Sequence, residues 1–228
     1  MRDEGVLDGV RYRRPGSARW FSSPIDAESI RAIFGVVFCI LLLVAIFPLL
    51  TLIAVAIYAQ DGGPVLFSHT RIGRHGRPFR CLKFRTMAVD AEQRLAAHLA
   101  CEPEALNEWR MDHKLRDDPR ITPIGAYLRR SSLDELPQIL NVLRGEMNLV
   151  GPRPIVSDEI HRYGGRFKFY CQVKPGITGL WQVNGRNDVS YRRRVAMDTI
   201  YAKSRSLGGD LKILAMTLPA VLLRRGSY

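Results

Sequence analysis

From Ala32 to Ala59 the chain reads "AIFGVVFCILLLVAIFPLLTLIAVAIYA", a run without a charged residue, whereas elsewhere apolar and polar positions alternate over short periods. At 1.5 Å of rise per residue a helix of this length exceeds the roughly 20 residues that cross a bilayer core. The pattern predicts a membrane segment at about 32–59. A cleavable signal peptide does not fit, because a long polar stretch precedes the run and the run outlasts a typical signal core. Residues 64–87 place two short apolar runs around "RIGRHGR", whose Gly73 and Gly76 suit a turn, and so predict a small β-hairpin. Ala91, Leu95 and Leu99, a break at Pro103, then Leu106, Trp109 and Leu115 predict two helices within 88–116. "GPRP" at 151–154 and "KPGITG" at 174–179 read as turns, and Ser190 to Ser204 as a basic, amphipathic helix. Asp210 is a candidate N-cap for an apolar stretch interrupted by Pro219, too short to span a bilayer and suited to its interface. Residues 1–31 are polar without clear periodicity and read as an arm.

Charge refines the membrane reading. Lys and Arg accumulate on the cytoplasmic side of a span, yet here both flanks are basic: Arg13, Arg14, Arg19 and Arg31 before the run, Arg71, Arg74, Arg77 and Arg80 after it. Pro48, just past the middle, removes a backbone hydrogen bond and clashes with the preceding turn. A helix that enters, bends at Pro48 and returns to the same face accounts for both features. A plain span kinked at proline is the competing arrangement.

Composition narrows the partners. The 34 Lys and Arg against 22 Asp and Glu give a net charge of +12, which favours anionic partners: nucleic acid, acidic lipid or phosphorylated substrates. Nucleic acid is disfavoured, since no helix-turn-helix, zinc or base-stacking signature occurs and the basic residues cluster around the membrane run. Cys39, Cys81, Cys101 and Cys171 are widely spaced with no C-x-x-C pair, so neither a zinc site nor a disulfide framework is expected.

The stretch "SSLDELPQ" at 131–138 carries the most specific chemistry. Ser132 with Glu135 three residues later fits a capping box, a purely structural role. Pro137 is awkward in a helix capped at Ser132, and a helix starting at Pro137 would instead set Asp134 and Glu135 just before its amino end, where phosphate or a metal-bound phosphate can sit. A carboxylate can attack phosphorus when cations neutralise the developing charge, and Arg129, Arg130, Arg144 and Arg153 lie close in sequence. Mg²⁺, typically held by one or two carboxylates and substrate phosphates, suits such a pair.

Together "KFRTM" at 83–87, "DPRITPIGAYLRRSSLDELPQILNVLRGEMNLVGPRP" at 118–154 and "KPGITGLWQVNGR" at 174–186 resemble the bacterial sugar transferases, the monotopic phosphoglycosyl transferases. The resemblance runs from about residue 31 to the end and implies transfer of a hexose-1-phosphate from a UDP-sugar to polyprenyl (undecaprenyl) phosphate, releasing UMP, as the first membrane step of an exopolysaccharide or lipopolysaccharide. It implies Asp134 as nucleophile, through a covalent phospho-sugar intermediate, with Glu135 assisting and Mg²⁺ near Asp134. Lys83, Arg85, Arg129, Arg153 and Asp210 match substrate- or phosphate-binding positions of the family, and Pro48 its membrane break. The helical segment 88–116 and the ending "LLRRGSY" resemble the hexose-phosphate transferases of exopolysaccharide and O-antigen synthesis, which points to UDP-galactose or UDP-glucose. Many relatives carry serine before the breaking proline; here it is Phe47, which has no hydroxyl to offer the freed backbone.

The expectation is therefore an α+β, mostly helical, monotopic membrane protein. Its parts are a polar arm at 1–31, a re-entrant helix–break–helix at about 32–59, and a catalytic region at 60–228 with a hairpin and interfacial helices, residues 32–228 forming one integrated domain. The expected place is the cytoplasmic face of the bacterial inner membrane. Membrane lipid, the UDP-sugar and the lipid phosphate are the expected partners, without nucleic acid, and a second copy of the chain is a candidate. A basic scaffold in which the acidic pair merely caps a helix is the alternative.

Overall fold

A computed structural model describes residues 4–7, 10–13, 27–112, 115–185 and 189–222. Most of the arm, Arg186 and the final "LRRGSY" lie outside these residues. Within the arm, β1 (Glu4–Leu7) pairs antiparallel with β2 (Val10–Arg13), a hairpin its sequence did not announce. Helix α1 (Ala27–Asp61) follows, then the predicted hairpin of β3 (Leu66–Ile72) and β4 (Pro78–Phe84). The two helices expected after it are α2 (Ala91–Cys101) and α3 (Pro103–Asp112), the latter starting on Pro103, where a missing N–H loses nothing. Trp109 of α3 stacks on Arg120 and ties this pair to the body.

Helix α4 (Pro123–Ser131) and the short α5 (Gln138–Leu143) flank the acidic pair. Strand β5 (Asn148–Val150) runs parallel to β6 (Gly176–Thr178), so the second half of "KPGITG" is a strand and not the expected turn. A local reading could not find this pair, because parallel pairing depends on a partner far along the chain. The glycine is required: a Cβ on Gly176 would stand 2.0 Å from the Gly151 backbone nitrogen. Between them lie α6 (Ile160–Tyr163) and α7 (Phe167–Tyr170), and after them α8 (Leu180–Val183), α9 (Tyr191–Ser204) and α10 (Leu207–Leu222). The expected helix at 190–204 is α9. The expected cap at Asp210 is corrected: α10 begins three residues earlier, and the Ser206 hydroxyl accepts from the Gly209 N–H.

Helix α1 is apolar on all sides, and the fold divides those sides. Cys39, with Leu42, Leu43 and Ile46, packs against Val142, Leu149 and Ile213, and a turn or two further on Ile53 and Ile57 pack against Phe84 and Leu128. These contacts recur every three or four residues and form one stripe. The opposite stripe, including Ile33, Val37, Leu41, Val44, Leu52 and Val55, is exposed, Val44 by 72%. By length and composition this helix can cross a membrane. At Pro48 the helix is not interrupted, contrary to the helix–break–helix expected there. Thr51 Oγ1 donates to the Phe47 carbonyl at 3.0 Å, a back-bond of the kind that bends helices without ending them; the carbonyl that Pro48 leaves without its N–H partner is that of Val44, one turn earlier.

A second cluster holds Ile72, Ile155, Tyr163, Tyr170 and Val195. Buried in its wall, Asp198 accepts from the Tyr163 hydroxyl at 2.7 Å, while its Oδ1 has no partner among the described residues. Burial pushes the Asp198 carboxyl up to about 7, against the opposing pull of the Tyr163 hydrogen bond and Arg194. The folded-state value exceeds the unfolded one, so the contribution to stability is fully present below about pH 4 and is lost as the pH rises through about 7. A difference of this size corresponds to about 4 kcal/mol. Asp198→Asn, which cannot ionise and still accepts from Tyr163, should gain thermal stability over the wild type at pH 8 and little at pH 4. Melting curves that run parallel across that range would contradict this.

Candidate active site

The hairpin builds one wall of the site. Its register sets Phe67 opposite Lys83, His69 opposite Cys81 and Arg71 opposite Phe79, so these six side chains share a face. Asn141 of α5, fully buried, docks that strand: its Oδ1 accepts from the Leu82 N–H at 3.0 Å, and its Nδ2 donates to the Arg80 carbonyl at 2.8 Å and to Glu146 at 2.6 Å. The amide thus satisfies backbone groups on either side of Cys81 that a further strand would otherwise pair. It fixes the distance between α5 and the strand that carries Lys83.

The other wall is the acidic stretch. Thr122 caps α4, accepting from the Gly125 N–H at 2.9 Å, with Pro123 in the first helical position. Only glycine fits at 125, since a Cβ there would lie 2.0 Å from the Thr86 carbonyl oxygen. The helix ends at Ser131, and Ser132 takes a left-handed conformation (φ 58°) that costs about 1–2 kcal/mol for a residue other than glycine. This turn redirects the chain into the short 3-10 stretch Leu133–Glu135. The capping box at Ser132 is thereby corrected: its side chain caps nothing, and Glu135 reaches for Lys83 instead. Pro137 stands at the N-cap of α5, so Asp134 and Glu135 do lie just ahead of that helix.

Lys83 Nζ donates to Asp134 Oδ2 at 3.3 Å and to Glu135 Oε1 at 2.8 Å. One cation thus holds both carboxylates, and their surroundings separate them. Burial raises the Asp134 carboxyl above its ordinary value and the Glu135 charge adds to this, while Lys83 and Arg129 oppose it without prevailing. Burial also works to raise Glu135, but Lys83, Arg153 and Arg71 together outweigh it and hold Glu135 below its ordinary value. Asp134 is therefore the more basic and the more nucleophilic of the two, and Glu135 the persistent anion.

Next to the pair opens a recess lined by Arg71, Cys81, Lys83, Glu135, Arg153 and Gln182. Of the residues singled out in the sequence, Lys83, Glu135 and Arg153 line it, and Asp134 joins them through Lys83. Arg129 reaches the pair from the last turn of α4, with Nε anchored on Thr86 Oγ1 at 2.9 Å. Arg85 is engaged elsewhere: its guanidinium grips the Asp61 carboxylate at the end of α1 through both terminal nitrogens. Asp210 accepts from the Tyr201 hydroxyl at 3.0 Å beside the first half of α1, in the wall of a separate apolar cleft with Phe34, Met147 and Lys174. Pro48 is within α1. Sequence reasoning missed Asn141 and the part played by Arg71. The register of the hairpin puts Arg71 on the Lys83 face, but nothing local marks Asn141.

Among the described residues no group of three or more His, Cys, Asp or Glu converges as a metal cage. Two adjacent carboxylates, with cations around them, fit Mg²⁺ arriving with a diphosphate, since that ion needs only one or two carboxylates when phosphate oxygens complete its shell. Asp134 and Glu135 are the residues that would hold it.

A sequence profile of the family described as "Bacterial sugar transferase" matches residues 27–224. The exopolysaccharide production protein ExoY of Sinorhizobium fredii is 50% identical over 205 residues, covering 90% of this chain and 90% of that protein. An undecaprenyl-phosphate galactose phosphotransferase of Salmonella typhimurium is 48% identical over 203 residues, covering 89% of this chain and 42% of that protein. An undecaprenyl-phosphate glucose phosphotransferase of Komagataeibacter xylinus is 39% identical over 210 residues, covering 86% of this chain and 36% of that one.

The docking role of Asn141 has a direct consequence. Asn141→Leu keeps the volume but strands the Leu82 N–H and the Arg80 carbonyl, and should destabilise the protein by about 2–4 kcal/mol. A shift in thermal unfolding below 1 °C would show that the amide does not hold the strand.

Proposed function

The chain belongs to the bacterial sugar transferase family, and from that premise we propose that it moves a hexose-1-phosphate from a UDP-sugar to polyprenyl phosphate, releasing UMP, as the initiating step of an exopolysaccharide. The observation that carries this reading is the shared cation: Lys83 holds a buried, basic Asp134 beside an acidic Glu135. Undecaprenyl-phosphate galactose and glucose phosphotransferases among the relatives support UDP-galactose or UDP-glucose as donor.

In the first step an Asp134 oxygen attacks the sugar-side phosphorus; the new O–P bond forms as the bond to the UMP oxygen breaks, and UMP leaves with that electron pair. In the second, an oxygen of the lipid phosphate attacks the same phosphorus, the bond to Asp134 breaks, and the carboxylate is restored. A carboxylate raised in basicity by burial is the better nucleophile, provided that it remains ionised near neutral pH. Lys83 neutralises charge as it builds on the phosphoryl oxygens, and Arg129 and Arg153 supply planar forks for the same oxygens. Glu135, kept anionic, holds the Lys83 ammonium in place after Asp134 has been esterified. Bound Mg²⁺, held by Asp134 and Glu135, would supply further neutralisation of the diphosphate.

The disposition of α1 supports a monotopic arrangement in which the helix does not cross the bilayer, and the proposed UDP-sugar donor assigns the site to the cytoplasmic face of the inner membrane. Both its halves pack on the same body, Cys39 through Leu149 and Ile213, Ile53 and Ile57 through Phe84 and Leu128. A helix held at both ends by one water-soluble body is poorly placed to carry one end across the bilayer, and its exposed stripe offers lipid an apolar face along the full length. This sets the acidic pair within reach of a lipid phosphate.

Purified protein with Mg²⁺, polyprenyl phosphate and each donor should release UMP with UDP-galactose or UDP-glucose. With donor alone, intact-mass analysis should find one phospho-hexose on Asp134, and Asp134→Asn should lose the adduct and at least about 10³-fold in turnover. Release of no UMP from any UDP-hexose or its N-acetyl form would refute the reading, and full turnover by Asp134→Asn would refute the role of that carboxylate.

A further inference from the structure

The recess beside Glu135 holds more positive charge than its carboxylate needs. Arg71 and Arg153 both line it, and burial together with the Arg153 charge disfavours the charge of Arg71. Arg71 is only loosely engaged: its Nη1 lies 3.5 Å from the Pro154 carbonyl oxygen and 3.9 Å from a Glu159 oxygen, and 20% of its side chain is exposed. Compare Arg85 and Arg120, each clasped by both oxygens of one aspartate. A guanidinium with its fork unspent, next to a second one in a half-buried recess, is a site for a phosphate.

Stereochemistry says which phosphate. In-line displacement places the attacking and leaving oxygens on opposite sides of phosphorus. When Asp134 attacks the donor, the UMP phosphate leaves from the side opposite Asp134. When the lipid phosphate then attacks the esterified phosphorus, it must come in from the side opposite the Asp134 oxygen, which is the place UMP has vacated. Two different ligands therefore present a phosphate to the same position, one after the other. Lys83 donates to Asp134 and also lines the recess with Arg71 and Arg153, whereas Asp134 does not line it, so the recess is the candidate for the position opposite Asp134.

We propose that Arg71 and Arg153 form one phosphate-binding lobe, occupied first by the departing nucleotide phosphate and then by the incoming lipid phosphate. The proposal rests on the two-step reaction given above and adds to it a single, shared position for the two exchanging phosphates, with Arg71 as its unassigned phosphate-binding residue.

The test separates the two half-reactions in the full-length protein with Mg²⁺. With donor alone, UMP release in a single turnover measures the first; adding polyprenyl phosphate to the preformed adduct measures the second. Arg71→Gln should slow both by a similar factor, roughly 10- to 100-fold, and Arg71→Lys, which keeps the charge but not the fork, should slow both by less. Arg80→Gln, on the exposed face of the hairpin and bonded to Ser68, should change neither. On unmodified enzyme, polyprenyl phosphate should displace labelled UMP competitively. Slowing of one half-reaction alone, of neither, or simultaneous binding of UMP and polyprenyl phosphate would overturn the shared lobe. Should Arg71→Gln fail to fold, the Arg71→Lys rates and the wild-type displacement decide on the same terms. Absence of any adduct in the wild type would instead sink the two-step reaction itself, and the shared lobe with it.

Discussion

The ammonium of Lys83, shared between Asp134 and Glu135, is the contact on which the site depends. Two neighbouring carboxylates in a half-buried pocket repel one another, and without a cation between them one would stay protonated. The fold supplies that cation from a different element and meets the requirement at some expense. Ser132 adopts a left-handed backbone to turn α4 into the acidic stretch, Gly125 lets α4 press against Thr86, and Asn141 pins α5 to the strand bearing Lys83. Removing charge repulsion alone would leave two equivalent acids. Unequal burial and the unequal neighbourhood of arginines make one basic and the other acidic.

The same body that positions the pair also holds the long apolar helix. Residues Cys39 to Ile57 of α1 press one stripe onto the clusters that support β4 and α5, leaving the other stripe bare. Apolar cohesion with the body and a bare apolar stripe are thus properties of one helix, and whatever that stripe meets is tied to the site by packing and not by a flexible tether. Arg85, gripping Asp61 where α1 ends, locks the helix to the segment following β4.

Much of this was legible in the sequence for identifiable reasons. The uncharged run, the hairpin around Gly73 and Gly76, the paired helices split at Pro103 and the helix at 191–204 are local patterns, and each formed as its periodicity or punctuation indicated. Local chemistry singled out the acidic pair with Arg129 and Arg153, and motif resemblance added Lys83. What escaped depended on contacts between distant residues. The parallel pairing of "NLV" with "GIT" and the Asn141 bridge have no signature within their own segments. Pro48 was read correctly as a lost hydrogen bond, but one missing N–H did not end the helix, which runs on unbroken to Asp61.

If a shared cation and unequal burial divide the acidic pair into a nucleophile and a permanent anion, the two carboxyls must titrate in a particular order. Carboxyl-labelled protein followed by ¹³C NMR as the pH is lowered, with signals assigned through Asp134→Asn and Glu135→Gln, reads this directly. Asp134 should take up its proton first, above its own ordinary value, and Glu135 only below its own. Protonation of Glu135 ahead of Asp134 would contradict the division of roles from which the mechanism is built.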